Sequence, residues 1–159
     1  MFTNDTLTWL KTMQRPSLDE YFGIMAEVVA TRGTCPRRSV GCVLVSEDNK
    51  VLATGYNGVP SGFAHCIDEP CEGAKYRSGL GLDKCEAIHA EQNALLQVTD
   101  VKLIKTAYCT TAPCIHCIKL LLNTGCQRIV FNQDYPHSDT SKALWEKAGR
   151  EWQHIELEV

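Results

Sequence analysis

The 159-residue sequence predicts an α/β fold, a three-layer α-β-α sandwich around a mixed five-stranded sheet. Three observations predict it. A segment of helical period comes first, and two β-branched runs separated by a short polar stretch follow it as a hairpin. Beyond residue 86, helical and strand-like segments alternate, which is the pattern of parallel strands joined by crossover helices. A hairpin joined to such a unit makes the sheet mixed, and the helices are numerous enough to cover both faces.

The elements are justified in chain order. Leu18, Phe22, Met25, Val28 and Val29 recur at helical spacing after Ser17, an N-cap residue type, so 17–31 reads as the first helix. Val40–Ser46 and Val51–Gly55 flank Glu47-Asp48-Asn49-Lys50 and read as the hairpin. Residues 58–86 mix Gly, Pro, Cys and charged positions without a period, so they read as a long irregular insertion that needs a function or a staple. Ala87–Val98 reads as a helix and Thr106–Thr111 as a short strand. Cys114–Asn123 reads as a helix opening after Pro113, with Gly125 as its C-terminal cap. Arg128–Asn132 is a strand, Ser141–Ala148 a helix stopped by Gly149, and Trp152–Leu157 the last strand. No repeat or linker divides the chain, so residues 1–159 read as one domain.

Composition narrows the function. Hydrophobic residues make up 44% and charged residues 22%, and no apolar run approaches the ~20 residues of a membrane span. A basic start with a long apolar stretch is missing from the N-terminus, so a cytoplasmic protein is expected, in the host cytoplasm if phage-encoded. The net charge of −3 argues against a polymeric nucleic-acid partner, which needs clustered cations. Nine cysteines without a secretory segment favour metal ligation over a disulfide scaffold.

His89-Ala90-Glu91, followed 25 residues after His89 by Cys114 and then Cys117, carries the chemistry. One imidazole and two thiolates fill three positions of tetrahedral Zn²⁺ and leave the fourth for water, the arrangement of a catalytic site. Glu91 is then free to move protons. This H-x-E…P-C-x-x-C pattern is that of the zinc deaminases of nucleobases. In that chemistry Glu91 takes the proton of the attacking water, passes it to the ring nitrogen and protonates the departing amine. A redox Cys-x-x-C pair and a core histidine are the plain alternatives, and His116 reads as an exposed helix residue rather than a ligand.

Outside this motif, four stretches resemble the deoxycytidylate (dCMP) deaminases of bacteria and phages, a branch of the cytidine deaminase-like superfamily. They are Arg15-Pro-Ser-Leu-Asp-Glu-Tyr-Phe22, Thr34-Cys-Pro-Arg-Arg-Ser-Val-Gly41, Gly55-Tyr-Asn-Gly-Val-Pro60 and His89-Ala-Glu-Gln-Asn-Ala94. The likeness covers about residues 15–150. It implies hydrolysis of dCMP to dUMP and ammonia, which feeds thymidylate synthesis. It also implies Asn57 as a sugar contact, Ala90 as a substrate contact, Arg15 as the grip on the 5′-phosphate and Tyr135 as an aromatic beside base and phosphate. The plain readings of these residues are a turn asparagine, a surface arginine and a packed tyrosine. Arg37 and Arg38 read more simply as solvated charges.

Cys35, Cys66, Cys71 and Cys85 border the irregular insertion, and a four-cysteine structural zinc would staple it. The resemblance supports that reading for Cys35 and Cys66, with His65 as a substitute ligand; free thiols or a disulfide are the alternatives. Cys42, Cys109 and Cys126 fall in or beside strands and read as core packing. The resemblance further implies a homo-oligomer, as large as a hexamer, with dCTP and dTTP as effectors. Two rivals stay open: a tRNA adenosine deaminase, and a silent zinc module that binds nucleotides or proteins.

Overall fold

The structure, a computed structural model, describes residues 4–77 and 80–157. Five strands form one sheet: β1 (Gly41–Ser46), β2 (Val51–Tyr56), β3 (Ile104–Thr111), β4 (Arg128–Gln133) and β5 (Glu151–His154). Their order is β2-β1-β3-β4-β5. β1 runs antiparallel to both β2 and β3, whereas β3, β4 and β5 are parallel. The mixed five-stranded sheet is therefore as the sequence predicts.

Helices cover both faces, and strand alternation sorts the core between them. Val43, Val45, Tyr108 and Val130 point to one face, where they meet Phe22 and Ala26 of α2 (Leu18–Ala30). Cys42, Leu44, Ala107, Cys109, Ile129 and Phe131 point to the other. There they meet α3 (Ala90–Leu95), α4 (Ile115–Leu122) and α5 (Ser138–Lys147) through Ala90, Ala94, Ile118, Leu121 and Trp145. The core thus divides into two layers.

Two glycines on neighbouring strands permit this packing. A Cβ on Gly41 would lie 2.1 Å from the Ala26 carbonyl oxygen of α2. A Cβ on Gly55 would lie 2.3 Å from the Ala90 carbonyl oxygen and 2.4 Å from the Ala94 nitrogen of α3. Each helix backbone therefore rests directly on strand backbone, as only glycine allows. Asn93 and Gln97 add to the second contact by donating to the edge-strand carbonyls of Tyr56 (2.9 Å) and Thr54 (2.8 Å).

Several boundaries differ from the sequence reading. The first helix, α1 (Asn4–Thr12), falls where no element was expected; the side chains described in it are exposed or half-buried, so it has little apolar period to read. α2 begins at Leu18 with Ser17 and Glu20 in a reciprocal capping box. α3 is shorter than 87–98, because Ile88 stays extended and pairs with Gly58 as an isolated bridge. α5 starts at Ser138 rather than 141, after His137 in left-handed conformation, φ 73°. β3 starts earlier, at Ile104, and β5 stops at His154. Gly125 is not the cap of α4: Asn123 takes that position, and Gly125 lies against the Lys102 carbonyl. Gly149 does end α5 with φ +76°, as expected. Residues 58–86 hold two short 3₁₀ turns, Glu72–Lys75 and Leu82–Lys84.

Candidate active site

His89 and Cys114 are the N-cap residues of α3 and α4, and Cys117 lies in the first turn of α4. Local chemistry sets both positions. Pro113 precedes α4, and the Gln92 side chain accepts the His89 N–H at 2.9 Å, fixing the entry to α3. His89 Nδ1 lies 3.4 Å from Cys114 Sγ and 3.4 Å from Cys117 Sγ. A tetrahedral zinc with bonds of about 2.1 Å to nitrogen and 2.3 Å to sulfur has N···S edges of about 3.6 Å. The three side chains therefore already stand close to the spacing that zinc requires. Among the described residues they form the one group of His, Cys and carboxylate side chains whose ligand atoms all lie within 4.8 Å of one another.

Protonation follows from the geometry. The hydrogen bond from Cys117 holds the Cys114 thiol far below its ordinary range, and the same bond pushes Cys117 up. Cys114 is thus the first thiolate of the pair. Its hydrogen bond raises the His89 imidazole against the effect of burial. Glu91 is 4% exposed, and burial lifts its carboxyl above the usual carboxylate range. Its own backbone N–H, the His89 charge and the Cys117 thiol pull the other way. A buried carboxyl able to hold or release a proton therefore stands beside a three-ligand metal centre.

His89, Glu91 and Cys114 open on a cavity of about 270 Å³. Ala90, Asn57, Tyr135, Thr111 and Arg38 line it with them. This is slightly below the lower end of the range for small-molecule sites and excludes a folded polymer from its interior. Asn57 is 8% exposed, its Oδ1 accepting from Val40 N–H and its Nδ2 donating to the Arg38 carbonyl, both at 2.8 Å. These bonds span 17 and 19 residues, so Asn57 is no local turn residue. An amide carries two donors and two lone pairs, so one of each remains for a ligand.

Arg15 is not brought to the cavity of its own chain. It precedes α2, and Asp19 in the first turn of that helix pairs with Arg128 at the start of β4 (2.6 Å). The cavity lies at the other end of these strands, beside Thr111 and Tyr135. Thirteen residues of helix, roughly 20 Å, separate the two ends. Arg15 is exposed and does not line the cavity of its own chain. Sequence reasoning instead undervalued Arg37 and Arg38, both half-buried in the cavity wall. The available signal was their place directly before β1, the strand that faces Gly55-Tyr56-Asn57.

The four remaining cysteine candidates are partly assembled. Cys66 Sγ accepts from Cys71 N–H at 3.2 Å. Burial raises the Cys71 thiol, but the Glu86 N–H, the Cys66 thiol and the N–H groups of Ala74 and Gly73 together outweigh it and bring it below its ordinary value. A Cβ on Gly73 would lie 2.7 Å from Cys85 Cα, so glycine lets Cys85 close onto this turn. Cys35 and Cys85 both line the cavity wall. His65 and His116 are exposed, whereas Cys42, Cys109 and Cys126 are buried in the core, as the sequence suggests.

Fold and site together define a three-layer α/β/α protein with a His/Cys/Cys metal centre and a buried carboxylate. The chain belongs to the cytidine and deoxycytidylate deaminase family, the model of whose zinc-binding region matches residues 16–133. The deoxycytidylate deaminase of Schizosaccharomyces pombe is 40% identical over 139 residues, which are 85% of this chain and 43% of the yeast protein. The chain thus spans less than half the length of that relative. The deoxycytidylate deaminase of Mycobacterium phage D29 is 40% identical over 128 residues, 77% of this chain and 99% of the phage protein. The crystal structure of dCMP deaminase from the cyanophage S-TIM5, in complex with dCMP and dUMP, has a TM-score of 0.69 at 25% identity. That match covers 90% of this chain and 100% of the cyanophage chain. No helix of the described residues is long and apolar enough to cross a membrane.

Proposed function

We propose that this protein hydrolyses dCMP to dUMP and ammonia, one water entering as one amine leaves. The observation that carries the reading is the convergence of His89 Nδ1 on two cysteine sulfurs at 3.4 Å, with buried Glu91 beside them. His89, Cys114 and Cys117 would hold zinc, which when bound lowers the pKa of a water at its open position toward neutrality. Glu91 accepts one proton of the attacking water and delivers it to the ring nitrogen beside the amino-bearing carbon; it then takes the remaining proton from the hydroxyl added to that carbon and passes it to the amine, which departs as ammonia. Asn57 and Ala90 orient the sugar and base, and the small cavity excludes bulk water from the reacting carbon.

Family membership and the two relatives named deoxycytidylate deaminases support this reading. The test is ammonia release from dCMP by the zinc-loaded protein, with Glu91→Ala as partner. The variant is expected to keep its zinc by elemental analysis and to lose turnover. Zinc lost with the carboxyl would make Glu91 a ligand and refute its role.

A second zinc at Cys35, Cys66, Cys71 and Cys85 belongs to the same reading. The N–H groups gathered on Cys71 and the Cys71–Cys66 contact favour it. Two zinc ions per chain are expected, and one would remove the proposal. Regulation by dCTP and dTTP, a homo-oligomeric state up to a hexamer and a cytoplasmic location also belong to this reading. Turnover assayed with each triphosphate, and the mass in solution, test the first two.

A further inference from the structure

Resting on the deaminase reading above, we infer that Gly58 is a positioning residue of the active site: its bridge to Ile88 sets the metal ligand His89 and the substrate-orienting Asn57 against each other. Gly58 N–H donates to the Ile88 carbonyl at 3.1 Å, and Ile88 N–H donates to the Gly58 carbonyl at 2.8 Å. The two residues exchange both bonds as one antiparallel pair, set apart from the five-stranded sheet. One step back from Gly58 is Asn57, and one step on from Ile88 is His89. In antiparallel pairing these two steps lead to the same side of the bridge, and both side chains line the cavity.

Each of the two segments is held in its own frame. Thr34 N–H donates to the Asn57 carbonyl at 3.0 Å and Asn57 N–H to the Val40 carbonyl at 3.2 Å. The Asn57 amide is pinned by Val40 and Arg38 at 2.8 Å each. His89 is fixed through its N–H on the Gln92 side chain and through its carbonyl, which accepts from Asn93 N–H at 2.9 Å. The bridge joins these frames one residue away from each functional side chain. A shift at Gly58 is therefore passed to Asn57, to His89, or to both.

Space, and not backbone angle, calls for glycine here. Gly58 lies outside the left-handed region, so alanine could adopt its conformation. A Cβ there would nevertheless stand 2.9 Å from Thr34 Oγ1. Thr34 is 8% exposed and its hydroxyl accepts from Val59 N–H at 3.4 Å, so the obstacle has little room to retreat. Thr34→Ala removes that oxygen and leaves the Thr34 Cβ position at 3.9 Å, an ordinary contact. Gly33 clears space for Asn57 alone: a Cβ on it would lie 2.7 Å from Asn57 Oδ1.

The experiment compares unaltered protein, Gly58→Ala, Thr34→Ala, the double variant and Gly33→Ala. Each is titrated with Co²⁺ against a chelator, and its thiolate-to-cobalt absorption is recorded. Subtracting the same spectrum of a matched Cys114→Ser form isolates the His89 site. The zinc-loaded proteins are assayed for kcat and KM with dCMP, and thermal unfolding is followed for all. Gly58→Ala is expected to weaken metal affinity at this site about 10-fold and to alter its cobalt spectrum. Its kcat/KM should fall about 100-fold, through kcat as well as KM. The double variant should recover these losses to the level of Thr34→Ala. Gly33→Ala should raise KM and leave the cobalt spectrum unchanged. A Gly58→Ala protein that only melts earlier, with cobalt spectrum and kcat intact, overturns the assignment, as does a double variant that fails to recover. Should Gly58→Ala not fold, Ile88→Pro, which deletes the 2.8 Å bond without crowding Thr34, must show the same paired change in metal affinity and kcat, and its absence overturns the assignment. Unaltered protein that binds cobalt but releases no ammonia from dCMP removes the deaminase reading, while the metal readout still decides whether the bridge positions His89.

Discussion

Replacing Gly55 with alanine tests how the fold delivers the active-site residues. The added Cβ would stand 2.3 Å from the Ala90 carbonyl oxygen and 2.4 Å from the Ala94 nitrogen, about 1 Å inside ordinary contact. Both obstacles are helix backbone, so no side chain can swing aside. Either α3 lifts from the sheet or the edge strand β2 gives way. Overpacking of this kind costs about 1–3 kcal/mol, which for a domain of this size lowers Tm by roughly 3–10 °C. His89 and Glu91 flank the obstructed Ala90 peptide, so lifting α3 moves them, and an error of 1 Å at a reacting centre costs about 100-fold in turnover. Thermal unfolding and dCMP turnover at equal zinc content separate the two responses. Gly23→Ala on α2 is the control: its Cβ would meet the flexible Leu157 side chain at 3.1 Å, and alanine favours helix by about 1 kcal/mol. Unchanged stability and turnover in Gly55→Ala would refute direct backbone seating as the device that positions the site.

Other perturbations address separate parts of the molecule. Hydrogen bonds from Arg128 hold the Asp19 carboxyl below its usual range, with Tyr108 adding a second donor. A carboxylate whose folded pKa lies below its unfolded one stabilises above the unfolded value and loses that contribution as pH falls through the folded one. Asp19→Asn should therefore unfold at lower urea than the unaltered protein at pH 7, and the gap should narrow as pH falls below the ordinary carboxylate range. An unchanged gap would place the effect in packing. Arg150 donates to the carbonyls of Leu121 (3.2 Å), Leu122 (2.8 Å) and Cys126 (2.7 Å) and lies over Trp145. Arg150→Ala is expected to lose about 2–3 kcal/mol of stability by denaturant unfolding without changing the KM for dCMP. Exhaustive chelation should abolish turnover and lower Tm, and added zinc should restore both; activity surviving chelation would refute the metal-centred reading.

Much of the fold was legible because its signals are local. Ser17 caps α2, the β-branched runs mark β1 and β2, and Gly149 ends α5, each through chemistry carried by the residue itself. The metal ligands were legible for the same reason: their spacing and residue types carry the chemistry. What stayed hidden depends on the third dimension. Arg15 was assigned to phosphate by resemblance alone, and the direction of α2 along the sheet carries it away from the cavity of its own chain. Arg38 looked like a solvated charge, and only the packing of Tyr135 against it shows otherwise. The start of α3 was misjudged because the bridge between Ile88 and Gly58, 30 residues apart, outweighs local helical preference.

The amides of Asn93 and Gln97 occupy acceptors on the outermost strand that would otherwise invite a foreign β-segment to dock alongside. An intruder adding there would have to strip away donors from the same helical unit that carries Glu91. Edgewise pairing at β2 and an intact seat for α3 should accordingly exclude each other.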